Sequence, residues 1–137
     1  MKNYSTGKII NLNARELSDF VEKYYQKNIQ DKQVINLHKK IPILFNRIGR
    51  NKTARPTMNK RRAVIVINIL ELLRDAKYLN FNTPKPEHVK KYNAVGILNF
   101  RFKCLIDNTK AEGRISVIQS KDLKFQYSLT FSKTKNG

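Results

Sequence analysis

Leu98-Asn99-Phe100-Arg101-Phe102-Lys103-Cys104-Leu105-Ile106 is the stretch whose reading decides the fold of this chain. Leu98, Phe100, Phe102, Cys104 and Ile106 occupy every second position, with Asn99, Arg101 and Lys103 between them, which is the period of a strand with two unlike faces. One face is apolar and needs a core; the other is polar and basic. Phe125, Tyr127, Leu129 and Phe131 repeat the pattern against Gln126, Ser128, Thr130 and Ser132. Residues 114–120 give a third run, Ile115 and Val117 alternating with Arg114 and Ser116, entered by a turn signal at Glu112-Gly113. The three runs predict a half-buried antiparallel sheet. If their registers align, Arg101, Lys103, Arg114, Ser116, Gln126, Ser128 and Thr130 share the outward face.

Upstream the period lengthens. Residues 8–12 read as a short strand, and Asn13 with Glu16 three residues on forms a capping box that opens a helix. Leu17, Phe20, Val21 and Tyr24 then make one core-facing stripe. Residues 34–40 and 41–45 read as strands. A second helix is expected from after Thr57 to about Leu79, with Val66, Ile69, Leu70, Leu73 and Ala76 on one face. Its β-branched run at 64–67 also suits a strand, but the helical spacing continues with no turn residue to interrupt it. Thr83-Pro84-Lys85-Pro86 is a loop, and residues 86–92 read as loop or strand start. Helices first and strands last, without βαβ alternation, predict an α+β fold: N-terminal helices packed on an antiparallel sheet of about four to five strands. With no repeat or Gly/Ser linker, one domain over residues 1–137 is expected.

Composition narrows the function. Lys and Arg number 28 against 10 Asp and Glu, a formal charge of +18. Such a charge concentrates and steers polyanions, favouring nucleic acid over an acidic small molecule, and its self-repulsion points to a neutralising, acidic partner. A lone cysteine, Cys104, and two histidines exclude an internal disulfide and a structural zinc module. Residues 1–13 lack the apolar core of a secretory signal, and the longest apolar stretch, 63–73, is interrupted by Asn68 and Glu71, well short of the roughly 20 residues that span a bilayer. No export signal, membrane insertion or cofactor is expected.

The charge is focused. Residues 39–62 hold Lys39, Lys40, Arg47, Arg50, Lys52, Arg55, Lys60, Arg61 and Arg62 and no acid. Within them Gly49-Arg50-Asn51-Lys52-Thr53 offers backbone donors, a guanidinium, an ammonium and a hydroxyl that can converge on one phosphate. Phosphate-loop, zinc-protease, nucleophile-elbow and dinucleotide motifs are absent from the sequence. No carboxylate lies between Asp31 and Glu71, which argues against a two-metal nuclease. RNA cleavage without metal needs a base for the 2′-OH, an acid for the leaving 5′-oxygen and cations for the phosphorane, and His, Lys, Arg, Tyr, Ser and Thr can fill those roles. His88, beside Lys90, Lys91 and Tyr92, is the stronger histidine candidate; His38 is the weaker. Tyr92 and Tyr127 can stack on a splayed base, whereas the other aromatics read as core.

The order of pieces resembles a known group. A strand at 8–12, the Asn-Ala-Arg-Glu-Leu helix start, residues 34–38, a strand over 41–47, Gly-Arg-Asn-Lys-Thr, a helix ending Leu-Glu-Leu-Leu-Arg-Asp-Ala-Lys-Tyr-Leu and three strands follow one another. This is similar to the nuclease superfamily of barnase, EndoU, the tRNase colicins and RelE, in the versions found in phage polyvalent proteins and at the C-termini of bacterial polymorphic and contact-dependent toxins. The resemblance implies helices on a curved antiparallel sheet whose exposed face and adjoining basic loops form an RNA cleft. It also implies metal-independent cleavage, often of tRNA, to a 2′,3′-cyclic phosphate. For toxin members it implies delivery to the cytoplasm of a target cell and a tight-binding immunity protein. Carried over by position, Arg50, Lys52 and Thr53 match the basic turn, and Ser128 and Thr130 the polar last strand. His88 and Tyr92 fall where some members place a catalytic histidine or tyrosine. No second histidine is well placed and no glutamate matches the base of the barnase branch, so base and acid stay open.

The expected function is therefore a metal-independent ribonuclease toxin domain, monomeric when free. Lys52, Arg114, His88, Tyr92, Ser128 and Thr130 are its candidate catalytic set, and Arg47, Arg50, Thr53, Arg55, Lys60, Arg61 and Lys103 its phosphate contacts. The alternatives are a basic RNA- or DNA-binding domain without catalysis and a phage-associated structural protein.

Overall fold

The computed structural model describes residues 1–46, 59–122, 124–128 and 135–136, of which 88, 91, 92, 126–128, 135 and 136 are described by their backbone alone. The elements run β1 (Asn3–Tyr4), α1 (Ala14–Asn28), β2 (Gln33–Asn36), β3 (Ile41–Leu44), α2 (Lys60–Ile67) and α3 (Ile69–Asp75). They continue with β4 (Lys77–Asn82), α4 (Pro86–Tyr92), β5 (Ala94–Ile106), β6 (Thr109–Ser120), β7 (Phe125–Ser128) and β8 (Lys135–Asn136).

The β5–β6 hairpin is the spine, and alternation builds it. Leu98, Phe100, Phe102, Cys104 and Ile106 are all buried, as are Ile115 and Val117 opposite them. Its turn lies at Asp107-Asn108, where both residues take positive φ, 48° and 67°. Asp and Asn tolerate that backbone, which a two-residue hairpin turn requires. The turn expected at Glu112-Gly113 is thus displaced by five residues, and both sit inside β6, paired with Lys103 and Phe102.

The sheet order is β1-β5-β6-β7-β3-β2, with β4 sharing the β1 edge of β5 and β8 pairing β6. The α+β class holds. Short strands extend the sheet to eight, and two pairings, β1 with β5 and β3 with β7, are parallel. Leu17, Val21 and Tyr25 of α1, Val64 and Val66 of α2 and Ile69 and Leu73 of α3 join Phe100, Phe102, Ile115 and Val117 in one core. Tyr25 is wholly buried and its hydroxyl donates to the Asn46 carbonyl, 2.9 Å away.

Four local expectations need correction. Residues 8–12 form turns, with Ile9 N–H on Thr6 O and Leu12 N–H on Ile9 O, because Asp107 holds Thr6 and folds the chain back. The strand expected over 34–40 ends at Asn36, whose side chain accepts from Lys39 N–H and starts a turn. The long second helix is two, since Asn68 turns its amide onto Val64 O and leaves helical backbone (φ −110°, ψ 16°). Residues 77–82 consequently form β4. Residues 86–92 are helical rather than loop or strand, opened by Pro86 and closed by Asn93 at φ 52°.

Candidate nucleic-acid interface

Opposed residues of an antiparallel ladder share a face, so the registers assemble the outward surface row by row. Lys77, Arg101 and Arg114 stand in register across β4, β5 and β6. The next row is Asn80, Asn99 and Ser116, with Ser128 opposite Ser116 on β7. On the other side lie Lys103 and Glu112, with Lys135 opposite Glu112. Three cations therefore border a polar row.

The polar row is hydrogen-bonded along its length. Ser116 donates to Asn99 Oδ1 at 2.9 Å, and Asn99 Nδ2 donates to Asn80 Oδ1 at 2.8 Å. Asn99 is only 9% exposed, so these bonds answer the cost of burying an amide. The cation row is open: Lys77, Arg101 and Arg114 are all exposed. Arg101 leans onto Glu112, Nη2 to Oε2 2.6 Å, which puts one carboxylate among the cations.

Of the sequence-derived candidates, Arg114 and Lys103 take the expected face, and Ser128 joins the polar row in the ladder. His88 and Tyr92 occupy positions i and i+4 of α4, one turn apart, on a helix that touches β5. Lys60 is exposed at the start of α2. Arg61 is half-buried and donates from Nη2 to Lys110 O at 3.4 Å, tying α2 to β6 rather than offering a free guanidinium. Arg47, Arg50, Lys52, Thr53, Arg55 and Thr130 lie outside the described residues. His38 is a clasp: its Nδ1 accepts from Tyr78 N–H at 2.8 Å, while the Lys39 ammonium sits 4.2 Å from the Tyr78 ring centre.

Sequence reasoning put Asn99 on the polar face without a role and missed Lys77, Asn80 and Glu112. Extending the second helix to Leu79 hid the first two, and assigning Glu112 to a turn hid the last. It also missed a cavity of about 170 Å³ between β1 and the end of α3, just before β4 begins, lined among others by Lys2, Tyr4, Glu71, Asp75 and Lys103. There Lys2 pairs with Glu71, whose other oxygen accepts from the Tyr4 hydroxyl at 3.0 Å. The Lys2 ammonium, then the Tyr4 hydroxyl, hold Glu71 below the usual carboxylate range. Burial, reinforced by the bond to Glu71, pushes the Tyr4 hydroxyl up. Both Asp75 oxygens are engaged by Arg74, at 3.0 and 2.9 Å. Among the described residues no helix is long and apolar enough to cross a membrane.

No curated protein and no solved structure matches the chain. A family model does, over residues 12–127, from the start of α1 into β7, which includes every residue of the cation row and all but the last-strand serine of the polar row. The chain belongs to the large polyvalent protein-associated domain 3 family.

Proposed function

We propose that this domain is a metal-independent endoribonuclease that binds RNA across the outward face of β4, β5, β6 and β7. The observation that carries the reading is the row Lys77, Arg101 and Arg114 beside the bonded row Asn80, Asn99 and Ser116. Guanidinium groups bind phosphate through paired donors and stabilise the charge that develops on a phosphorane. Arg101 and Arg114 take that role. The reaction is attack of the 2′-oxygen on the adjacent phosphorus with departure of the 5′-oxygen, leaving a 2′,3′-cyclic phosphate. Glu112, bonded to Arg101, takes the 2′-OH proton, and Lys103, its ladder partner, gives one to the leaving 5′-oxygen. His88 and Tyr92, on the helix that leads into the opposite end of β5, contact the RNA beyond the cut. Ser128 and Thr130 orient the sugar. Arg47, Arg50, Lys52, Thr53 and Arg55 extend the phosphate contacts.

In this reading tRNA is the first substrate to examine, and the domain acts as a toxin in a target cell's cytoplasm, restrained by an acidic immunity protein. The charge of +18 supports such an inhibitor because complementary charge speeds association. A second reading, RNA binding without cleavage, draws on the Arg101–Glu112 pair, which already occupies one guanidinium. Phosphate contacts alone would then give affinity without sequence information.

The test is incubation with total RNA and with tRNA in EDTA, followed by end-group analysis. Fragments with cyclic phosphate ends are expected, and Arg114→Ala is expected to lower the rate by roughly 10²-fold while the fold persists. Lys52→Ala and His88→Ala are the companion variants. RNA that is retained but intact establishes the binding reading.

A further inference from the structure

Five of the six residues of β4 are exposed, including Leu79 at 39% and Phe81 at 49%. β4 pairs with β5 on one edge. Along its other edge the described residues supply a single bond, from Tyr78 N–H to His38 Nδ1. A register shift between Tyr78 and Asn80 leaves Leu79 without a ladder partner, and beyond it the Phe81 ring lies over Gly96, where any Cβ would fall 1.7 Å from the ring. Beside it Val95 is 41% exposed. An open strand edge with apolar side chains is a template for another strand, and soluble proteins ordinarily guard such edges with charge, proline or a covering element.

Charge selects the occupant. Residues 76–86 contain Lys77 and Lys85 and no acid, and Lys39 stands over the Tyr78 ring. A second copy of this chain would bring +18 against +18. We propose that the free edge of β4 docks an extended, acidic segment of a partner protein, which adds as a further strand. Its backbone would pair with residues 79–82, its apolar positions would cover Leu79 and Phe81, and its carboxylates would meet Lys77 and Lys85. The proposal rests on the acidic-partner part of the reading above and not on RNA cleavage. Its test therefore uses no RNA.

The probes are three synthetic ten-residue peptides: one alternating valine and glutamate, one with lysine for each glutamate, and one with proline at two central positions of the acidic peptide. Each is titrated against the full chain, with amide hydrogen exchange read at residues 79–82. The acidic peptide is expected to slow exchange there and to bind at least about tenfold more tightly than the other two, with the advantage shrinking at high salt. Leu79→Ser, at the register shift, removes apolar cover without adding charge and is expected to weaken it similarly in a chain of unchanged thermal stability; Phe81→Ser is the second variant. Equal binding of the proline peptide means charge attraction without strand addition and overturns the proposal. Protection elsewhere on the chain, or a dimer through β4 in sedimentation, overturns it as well.

Discussion

Asp107 ties the first residues of the chain to the hairpin turn. Its carboxylate accepts from Thr6 Oγ1 at 2.5 Å and from Thr6 N–H at 3.1 Å, and these two bonds, the hydroxyl first, hold its pKa below the usual carboxylate range. A carboxylate lowered in the folded state contributes stability that is present above its unfolded pKa of about 3.9 and is lost as pH falls through the folded value. Acidification below about pH 4 should therefore release residues 1–12 before the core unfolds. Amide exchange at Thr6 checks this, and Asp107→Ala should show fast exchange there already at neutral pH. Slow exchange in the variant would mean that β1 holds the segment unaided. Tyr4 has the opposite sign. Its hydroxyl is raised by burial, so its contribution is present below the unfolded value near 10 and lost as pH rises past it. Tyr4→Phe should remove that alkaline component of thermal stability and shrink the part of the acid limb that Glu71 supplies, because the hydroxyl also helps hold that carboxylate down.

At the scale of elements, Asn36 does more than its place in a four-residue strand suggests. It is wholly buried at the end of β2, and its amide donates to Leu73 O at 2.7 Å and Ala76 O at 2.9 Å. Its oxygen accepts from Lys39 N–H at 2.7 Å, so one side chain closes the C-terminus of α3 and shapes the β2–β3 turn. Asn36→Ala leaves two carbonyls and one N–H without this partner and should cost about 2–4 kcal/mol in chemical denaturation. A loss below 1 kcal/mol, on the order of a surface change, would mean that water replaces the amide. Asn36 also marks the limit of what periodicity conveys. The capping box of Asn13 and Glu16 is local, and so is the alternation of β5; both are legible in the chain, and both are present. Asn36 and Asn68 act on carbonyls, and Asn68 ends a helix whose apolar stripe runs on past it. A stripe records which face is buried, not whether a polar side chain on another face bonds back to its own helix. The site divided the same way. Arg114, Lys103 and Ser128 follow from the period of single strands, whereas the row of Lys77 with Arg101 and of Asn80 with Asn99 depends on β4, a strand hidden by the helix pattern.

Over the whole molecule, +18 acts on folding and on binding with opposite dependence on salt. Ion pairs join Lys2 with Glu71, Arg74 with Asp75, Arg101 with Glu112 and Lys124 with Asp122, but 28 Lys and Arg against 10 Asp and Glu leave most cations with no carboxylate to meet. Self-repulsion of that kind destabilises the compact state, and it is screened as the Debye length falls from about 10 Å at 0.1 M salt to about 3 Å at 1 M. Tm should therefore rise with sodium chloride over that range. RNA affinity should fall, because each neutralised phosphate releases counterions. If the cation row of Lys77, Arg101 and Arg114 holds three phosphates of single-stranded RNA, it alone contributes a slope near −2 in log affinity against log salt, about −0.7 for each contact. Replacing Arg114 by Ala should make the measured slope shallower by roughly 0.7 and raise low-salt Tm slightly by relieving its opposition to Arg101. The two shifts are separable, since one is read by fluorescence titration with labelled RNA and the other by thermal unfolding without it. An unchanged slope with the Tm rise intact would move the phosphate path off the sheet and onto the basic stretch at residues 39–62, where Arg50→Ala and Lys52→Ala should then carry the loss.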